Sequence, residues 1–237
     1  MTVPAPVIQL RGVSKVYRGR DVLTDIDLDV SGGEVVGLIG PNGCGKTTVL
    51  RLVAGLVRPT VGQIWVGGQA LHESPGAVAP DLGVLFDPPG LLPHLSGFAN
   101  LRLLASLRRR LDDDGVRAWM FRVGLDPADR NHVGSYSQGM VQRLGLAQAL
   151  METPGILLLD EPTNALDPAA VDLVATLIDE QRVRGAAVVM ASHHLEEVAR
   201  VCTRVYRLDA GRLLEAAQDD LQRVTSREVG KAPESND

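Results

Sequence analysis

An apolar run, Glu34-Val35-Val36-Gly37-Leu38-Ile39, leads without interruption into Gly40-Pro41-Asn42-Gly43-Cys44-Gly45-Lys46-Thr47. The second string fits the pattern G-x-x-x-x-G-K-[ST], a turn between a buried strand and a helix whose backbone N–H groups close around phosphate oxygens. Few features constrain a chain more, because a strand that feeds a helix through such a turn belongs in a mostly parallel sheet with covered faces. Lys46 is one of three lysines among 24 Lys and Arg residues. A compact ammonium fits between phosphates where the planar fork of Arg does not. Gly40, Asn42, Gly43, Cys44, Gly45, Lys46, Thr47 and Thr48 are therefore candidate phosphate contacts, with the following helix offering its positive end.

Composition narrows the setting. The 237 residues are 45% hydrophobic but only 3% aromatic, which suits a core of Val, Leu, Ile and Ala between sheet and helices. A net charge of −5 argues against bulk electrostatic binding to nucleic acid. Apolar stretches such as Gly155 to Leu159 are too short to span a bilayer, and Met1 to Pro6 carries no charged-then-apolar signal. The expectation is a cytosolic chain whose membrane role, if any, comes through a partner. Cys44 and Cys202 make neither a disulfide framework nor a metal site.

Along the chain, Val7 to Tyr17 and Val22 to Val30 read as β segments, Glu34 to Ile39 as a buried strand, and Lys46 to Ala54 as a helix ended by Gly55. Gln63 to Val66 and Leu82 to Phe86 read as further strands. After Pro88-Pro89-Gly90 the pattern turns helical, with helices expected at Phe98 to Arg109, Asp112 to Val123 and Ser137 to Leu150. Strand–helix alternation resumes with Ile156 to Leu159, Pro168 to Val183, Ala186 to Ala191, Leu195 to Val201 and Val205 to Leu208, and Asp209 to Arg212 reads as a hairpin turn. No internal repeat is evident.

Ile156-Leu157-Leu158-Leu159-Asp160-Glu161-Pro162 is an apolar strand ending in adjacent carboxylates. The C-terminal end of such a strand is where α/β sheets bind ligands. Asp160 is placed to hold Mg²⁺ with the hydroxyl of Thr47, and Glu161 to polarise a water for attack on a γ-phosphate.

Three further strings complete a pattern: Ser135-Tyr136-Ser137-Gln138-Gly139-Met140-Val141-Gln142-Arg143 before the carboxylates, Asn164-Ala165-Leu166-Asp167 after them, and Ser192-His193 at the next strand end. In this order they resemble the nucleotide-binding domain of an ATP-binding cassette (ABC) ATPase, over about residues 7–214. The resemblance implies an α/β fold of the P-loop NTPase, ABC-ATPase type. It would have a RecA-like core, an N-terminal antiparallel β subdomain and an inserted α-helical subdomain at about 88–151. One domain would occupy 1–217, with a polar tail at 218–237. ATP and Mg²⁺ are the implied cofactors. By position, Tyr17 resembles the aromatic that stacks on adenine, with packing at a strand end as the alternative. Ser137 and the Gly139 N–H resemble groups that bind the γ-phosphate held by an opposite protomer. His193 resembles the histidine that contacts that phosphate, and Asp167 the residue that joins two subunits. The implied partners are a second ABC ATPase subunit, as a homodimer with the heterodimer left open, and a separate transmembrane permease. This places the chain in the cytoplasm, peripheral on the inner face of the cell membrane. No nucleic acid partner is expected.

The chain departs from the family pattern in places. The signature reads Tyr136-Ser137-Gln138-Gly139-Met140 in place of Leu-Ser-Gly-Gly-Gln, and Asp87 stands where a Gln is usual. Asp87 is expected to face the metal and the attacking water. Cys44 lies inside the phosphate loop, so its alkylation is expected to block ATP binding unless the position is permissive. The segment Leu82 to Gly97, with its Pro- and Leu-rich loop, resembles exporter ATPases of the drug, bacteriocin and polysaccharide type. That loop is a candidate docking surface for a membrane partner, or a plain connector. The expected function is an ATP-hydrolysing subunit of an export-type ABC transporter. The alternative is a soluble ABC ATPase in macromolecular assembly, ribosome or DNA-repair processes, which would be expected to show two cassettes or a long coiled-coil insertion. A P-loop kinase would leave Ser137 and His193 without a role.

Overall fold

The structure is a computed structural model that describes residues 6–71 and 79–216. The polar tail expected at 218–237 and the first five residues of the chain lie outside the described residues. Two sheets share the work. β1 (Pro6–Tyr17), β2 (Arg20–Ser31), β4 (Val61–Val66) and β5 (Gln69–Ala70) form an antiparallel sheet in the order β2-β1-β4-β5. The second sheet has six strands, ordered β10-β9-β3-β8-β7-β6. Its members are β3 (Val35–Ile39), β6 (Leu82–Leu85), β7 (Ile156–Asp160), β8 (Ala187–Ser192), β9 (Arg204–Asp209) and β10 (Arg212–Glu215). All neighbours in it pair parallel except β10 and β9, which close the edge as a hairpin.

β3, β7 and β8 are buried at every residue, which is why they read as unbroken apolar runs. The period of two along each strand sorts their side chains into two cores. Val35, Leu157, Leu159, Val188 and Met190 enter one core, shared with α2 (Gly97–Arg108), α3 (Asp113–Arg122), α4 (Gln138–Leu150), α5 (Pro168–Val183) and α6 (Leu195–Val201). Val36, Leu38, Leu158, Val189 and Ala191 enter the other, shared with α1 (Lys46–Val53) and the antiparallel sheet. Each fully buried leucine of this set contributes about 1.5–3 kcal/mol. The strands that present the carboxylates and the phosphate loop are thus held from both sides.

The helical arm between β6 and β7 begins cleanly because its helices are capped. Ser96, Asp112 and Ser137 each accept a backbone N–H of the first turn, and Asp167 does the same for α5. α4 lies directly on β6. A Cβ added at Gly83 would stand 2.1 Å from the carbonyl oxygen of Ala149. Backbone meets backbone there.

The elements match the sequence expectations to within a residue or two at most ends. Ser137, expected as the first residue of a helix, is its N-cap, and Asp112 likewise caps α3. The two-residue strand β5 was not expected, and the turn at Asp209 to Arg212 opens into β10.

Candidate active site

The chain leaves β3 at Ile39, turns through the phosphate loop and enters α1. The N-cap of α1 is Gly45 at φ 114, a conformation that side-chain-bearing residues avoid. A Cβ at Gly45 would also stand 3.0 Å from Leu23 Cδ2 of β2. This is the physical reason for the second invariant glycine of the pattern. The Lys46 ammonium is buried, 5% exposed, and donates to the carbonyl oxygens of Gly40 at 2.8 Å and Pro41 at 3.4 Å.

β7 delivers the carboxylates to the same place. Thr47 Oγ1 donates to Asp160 Oδ2 at 2.7 Å, and Lys46 Nζ stands 3.5 Å from Glu161 Oε1. Glu161 has φ 48, a left-handed conformation that costs a side-chain-bearing residue about 1–3 kcal/mol and tends to occur at functional sites. Its Oε2 accepts from the backbone N–H of His193 at 3.2 Å and pairs with His193 Nδ1 at 2.8 Å. Since a carboxylate only accepts, Nδ1 carries the proton in this pair. From the β6 side, Asp87 Oδ2 accepts from Asn164 Nδ2 at 3.0 Å.

These groups line a cavity of about 370 Å³ that also includes Asn42, Gly43, Thr48 and Val22. The cavity is electrostatically unbalanced. Burial pushes the Asp160 carboxyl above the usual carboxylate range; the Thr47 hydroxyl opposes this, the charges of Glu161 and Asp87 add to it, and Lys46 opposes it. Carboxylate and hydroxyl oxygens around a spot short of positive charge suit a hard divalent cation. Among the described residues no three His, Cys, Asp or Glu side chains form a metal cluster by themselves. A cation that takes one or two protein ligands and completes its shell with phosphates and water would need only the Thr47 hydroxyl and the Asp160 carboxylate.

Most of the expected site residues thus meet: Asn42, Gly43, Gly45, Lys46, Thr47, Thr48, Asp87, Asp160, Glu161 and His193 share one lining. Gly40 touches Lys46, and Cys44 Sγ packs 2.8 Å from where a Gly40 Cβ would be. Tyr17 is not in that lining. Its ring is 40% exposed at the end of β1, with Lys15 Nζ 4.7 Å from its centroid. Ser137 and Gly139 lie at the start of α4, also outside the cavity. The sequence reading had not included Val22 or Asn164. Val22 alternates with the core residues of β2, and Asn164 sits three residues past the second carboxylate, so only the fold brings them in.

Comparison with known proteins decides the family. The ABC transporter family model matches residues 23–164, more than half of the chain. The chain belongs to the ABC transporter family. Over 210 residues it is 37% identical to the uncharacterized ABC transporter ATP-binding protein YdbJ of Bacillus subtilis (strain 168), covering 88% of this chain and 68% of that one. It is 33% identical over 216 residues to the bacitracin transport ATP-binding protein BcrA of Enterococcus faecalis, covering 91% of this chain and 70% of that one. Among solved structures, an ATP-binding subunit of an ABC transporter superimposes with a TM-score of 0.82 at 27% identity, covering 93% of each chain. The chain is an ABC ATP-binding subunit with the α/β fold of that family. The soluble assembly-factor alternative is not favoured by these relatives.

Proposed function

We propose that this ABC subunit hydrolyses ATP to drive export through a separate membrane-spanning partner. The observation that carries the reading is the meeting of Lys46, Thr47, Asp160, Glu161 and His193 in one cavity at the C-terminal ends of β3, β7 and β8. Lys46 and the N–H groups of the phosphate loop neutralise phosphate oxygens, so Lys46 leaves its loop carbonyls when ATP enters. Thr47 and Asp160 would hold Mg²⁺, with Asp87 facing it. The cation would supply charge neutralisation on the phosphates. Glu161 takes a proton from water as the water oxygen attacks the γ-phosphorus and the bond to the bridging oxygen of ADP breaks. His193 holds the Glu161 carboxylate through its ring and backbone and faces the phosphate. Ser137, exposed at the start of α4, and the partly buried Gly139 serve the ATP of a second, head-to-tail copy.

Transport is supported by the likeness to the bacitracin transport ATP-binding protein, which is named for that role, and its direction is part of our reading. No helix among the described residues is long and apolar enough to cross a membrane, so the reading requires a permease subunit and a peripheral position on the inner face of the cell membrane. An apolar groove of about 310 Å³, between Phe86, Pro89 and Gly90 on one side and Gly145 and Gln148 of α4 on the other, adjoins the Pro-rich segment after Asp87. It is the surface we assign to that partner.

The test is capture of tagged Glu161→Gln from detergent-solubilised cells in ATP and Mg²⁺. A multi-span membrane protein in stoichiometric amount is the expected companion. Recovery of ribosomes or repair factors without a membrane protein would overturn the transport reading while leaving the ATPase intact.

A further inference from the structure

Gln142 is an amide in the wrong place for a surface helix. It lies in the second turn of α4, 4% exposed, and its Nε2 donates to the main-chain carbonyl of Glu161 at 2.9 Å. Buried amides are retained when their hydrogen bonds are satisfied, and this one is satisfied by the residue that carries the catalytic carboxylate. The same carbonyl accepts the N–H of Asn164 at 3.2 Å, while the Glu161 N–H donates to Ala191 O at 2.8 Å. These bonds hold Glu161 at φ 48, where the chain leaves the strand and the Cα–Cβ bond turns toward Lys46 and His193. Two further contacts join α4 to the loop that follows Glu161. A Cβ at Gly139 would stand 2.9 Å from Ala165 O, and Arg143 Nη2 meets Asp167 Oδ2 at 2.7 Å. Of the three rungs, only Gln142 grips Glu161 itself.

We propose that Gln142 is a positioning residue: its amide fixes the Glu161 peptide in the left-handed conformation that points the carboxylate at the reacting water. The inference rests on the reading of Glu161 as proton acceptor. It also makes α4, which Ser137 caps, the element that sets the aim of the base in its own subunit. With the amide gone, the Glu161 carbonyl keeps only its bond to Asn164. The peptide relaxes, and the carboxylate drifts from His193 Nδ1.

The experiment compares wild type with Gln142→Met, of similar length but without a donor, and Gln142→Glu, nearly isosteric with a titratable one. For Gln142→Met we expect kcat to fall about tenfold, while KM and the Kd for a fluorescent ATP analogue stay within about twofold. For Gln142→Glu we expect kcat relative to wild type to recover as pH is lowered, because only the protonated acid can donate to a carbonyl. Histidine ¹⁵N NMR of the full chain gives a readout free of turnover: the His193 ring, Nδ1-protonated in wild type, should lose that single form in Gln142→Met. Wild-type kcat in Gln142→Met, or a matched loss of ATP affinity and Tm with no pH-dependent recovery in Gln142→Glu, would overturn the proposal. A wild-type protein that failed to hydrolyse ATP would sink the reading of Glu161 instead. In that case unchanged His193 signals in Gln142→Met would still refute the positioning role, and shifted signals would support it.

Discussion

Thr47 Oγ1 donates to Asp160 Oδ2 across 2.7 Å, joining residues 113 apart in the chain. The bond ties the first turn of α1 to the end of β7. It also partly offsets the burial that holds the Asp160 carboxyl above its usual range. A cation taking both oxygens would replace this bond with something stronger.

Asp160→Asn is therefore expected to raise the Tm of the nucleotide-free protein at neutral pH and to abolish the added stabilisation that Mg²⁺ brings with ATP. A carboxyl whose folded value is raised contributes stability below its unfolded value and loses it as pH rises through the folded one. The Tm advantage of Asp160→Asn should thus grow as pH rises through the acid range and shrink toward zero below it. Thermal melts at several pH values, with and without Mg²⁺ and ATP, measure both effects. A variant less stable than wild type at neutral pH would contradict the account of Asp160 as a buried, costly charge.

Glu161→Gln should bind ATP with wild-type affinity and turn it over about 10²–10⁴-fold more slowly, the range typical of a lost general base. His193→Ala should lose most of its turnover in the same way, since it removes the ring partner of Glu161 Oε2. Steady-state rates beside equilibrium nucleotide binding distinguish these from structural damage, which would lower affinity and rate together.

The two cysteines should part company under a thiol reagent. Burial pushes the Cys202 thiol up to about 12, which leaves it almost wholly protonated and inert at pH 7–8. Cys44 is also partly buried, but its Sγ lies against Gly40 inside the phosphate loop, where an adduct would compete with the phosphates. Mass spectrometry after brief alkylation should show Cys44 modified and Cys202 spared, with loss of ATP binding and protection by prior ATP. Modified Cys44 with unchanged ATP affinity would mean that the loop tolerates the adduct.

Asp87→Asn keeps an acceptor for Asn164 Nδ2 but removes a negative charge that bears on Asp160. More free Mg²⁺ should then be needed for half-maximal binding of a fluorescent ATP analogue, by up to about tenfold at low salt and less at high salt. A midpoint that does not move would show that the carboxylate of Asp87 contributes nothing to the cation site.

Much of this architecture could be read from the chain because it rests on local rules. β3, β7 and β8 are apolar throughout because both faces are covered, and α5 runs from Pro168 to Val183 as its periodicity and its Asp167 cap suggest. Lys46, Thr47 and Asp160 were likewise legible, since a loop and a strand end have only one place to meet in a parallel sheet. What escaped depends on approaches between distant segments. The Asn164–Asp87 bond spans 77 residues and the Gln142–Glu161 bond crosses between a helix and a strand end, so neither has a periodic signature. Tyr17 lies at the end of β1 with Lys15 Nζ 4.7 Å from its ring, while Val22 of the neighbouring β2 lines the cavity, a placement that only the pairing of the two strands brings about.

The contact of Gly83 with Ala149 has a mechanical meaning. A helix laid on a strand without an intervening side chain is held close at that point, so the C-terminal half of α4 acts as a fulcrum and its N-terminal end, seated on the loop that follows Glu161, as a lever. From Ala149 back to Ser137 the lever is about 18 Å long. A tilt of about 10° at Gly83 would carry Ser137 about 3 Å, a hydrogen-bond length, while Ala149 scarcely moves. A substitution at Gly83 would therefore act on the far end of the arm, shifting Ser137 from a position outside the phosphate-loop cavity.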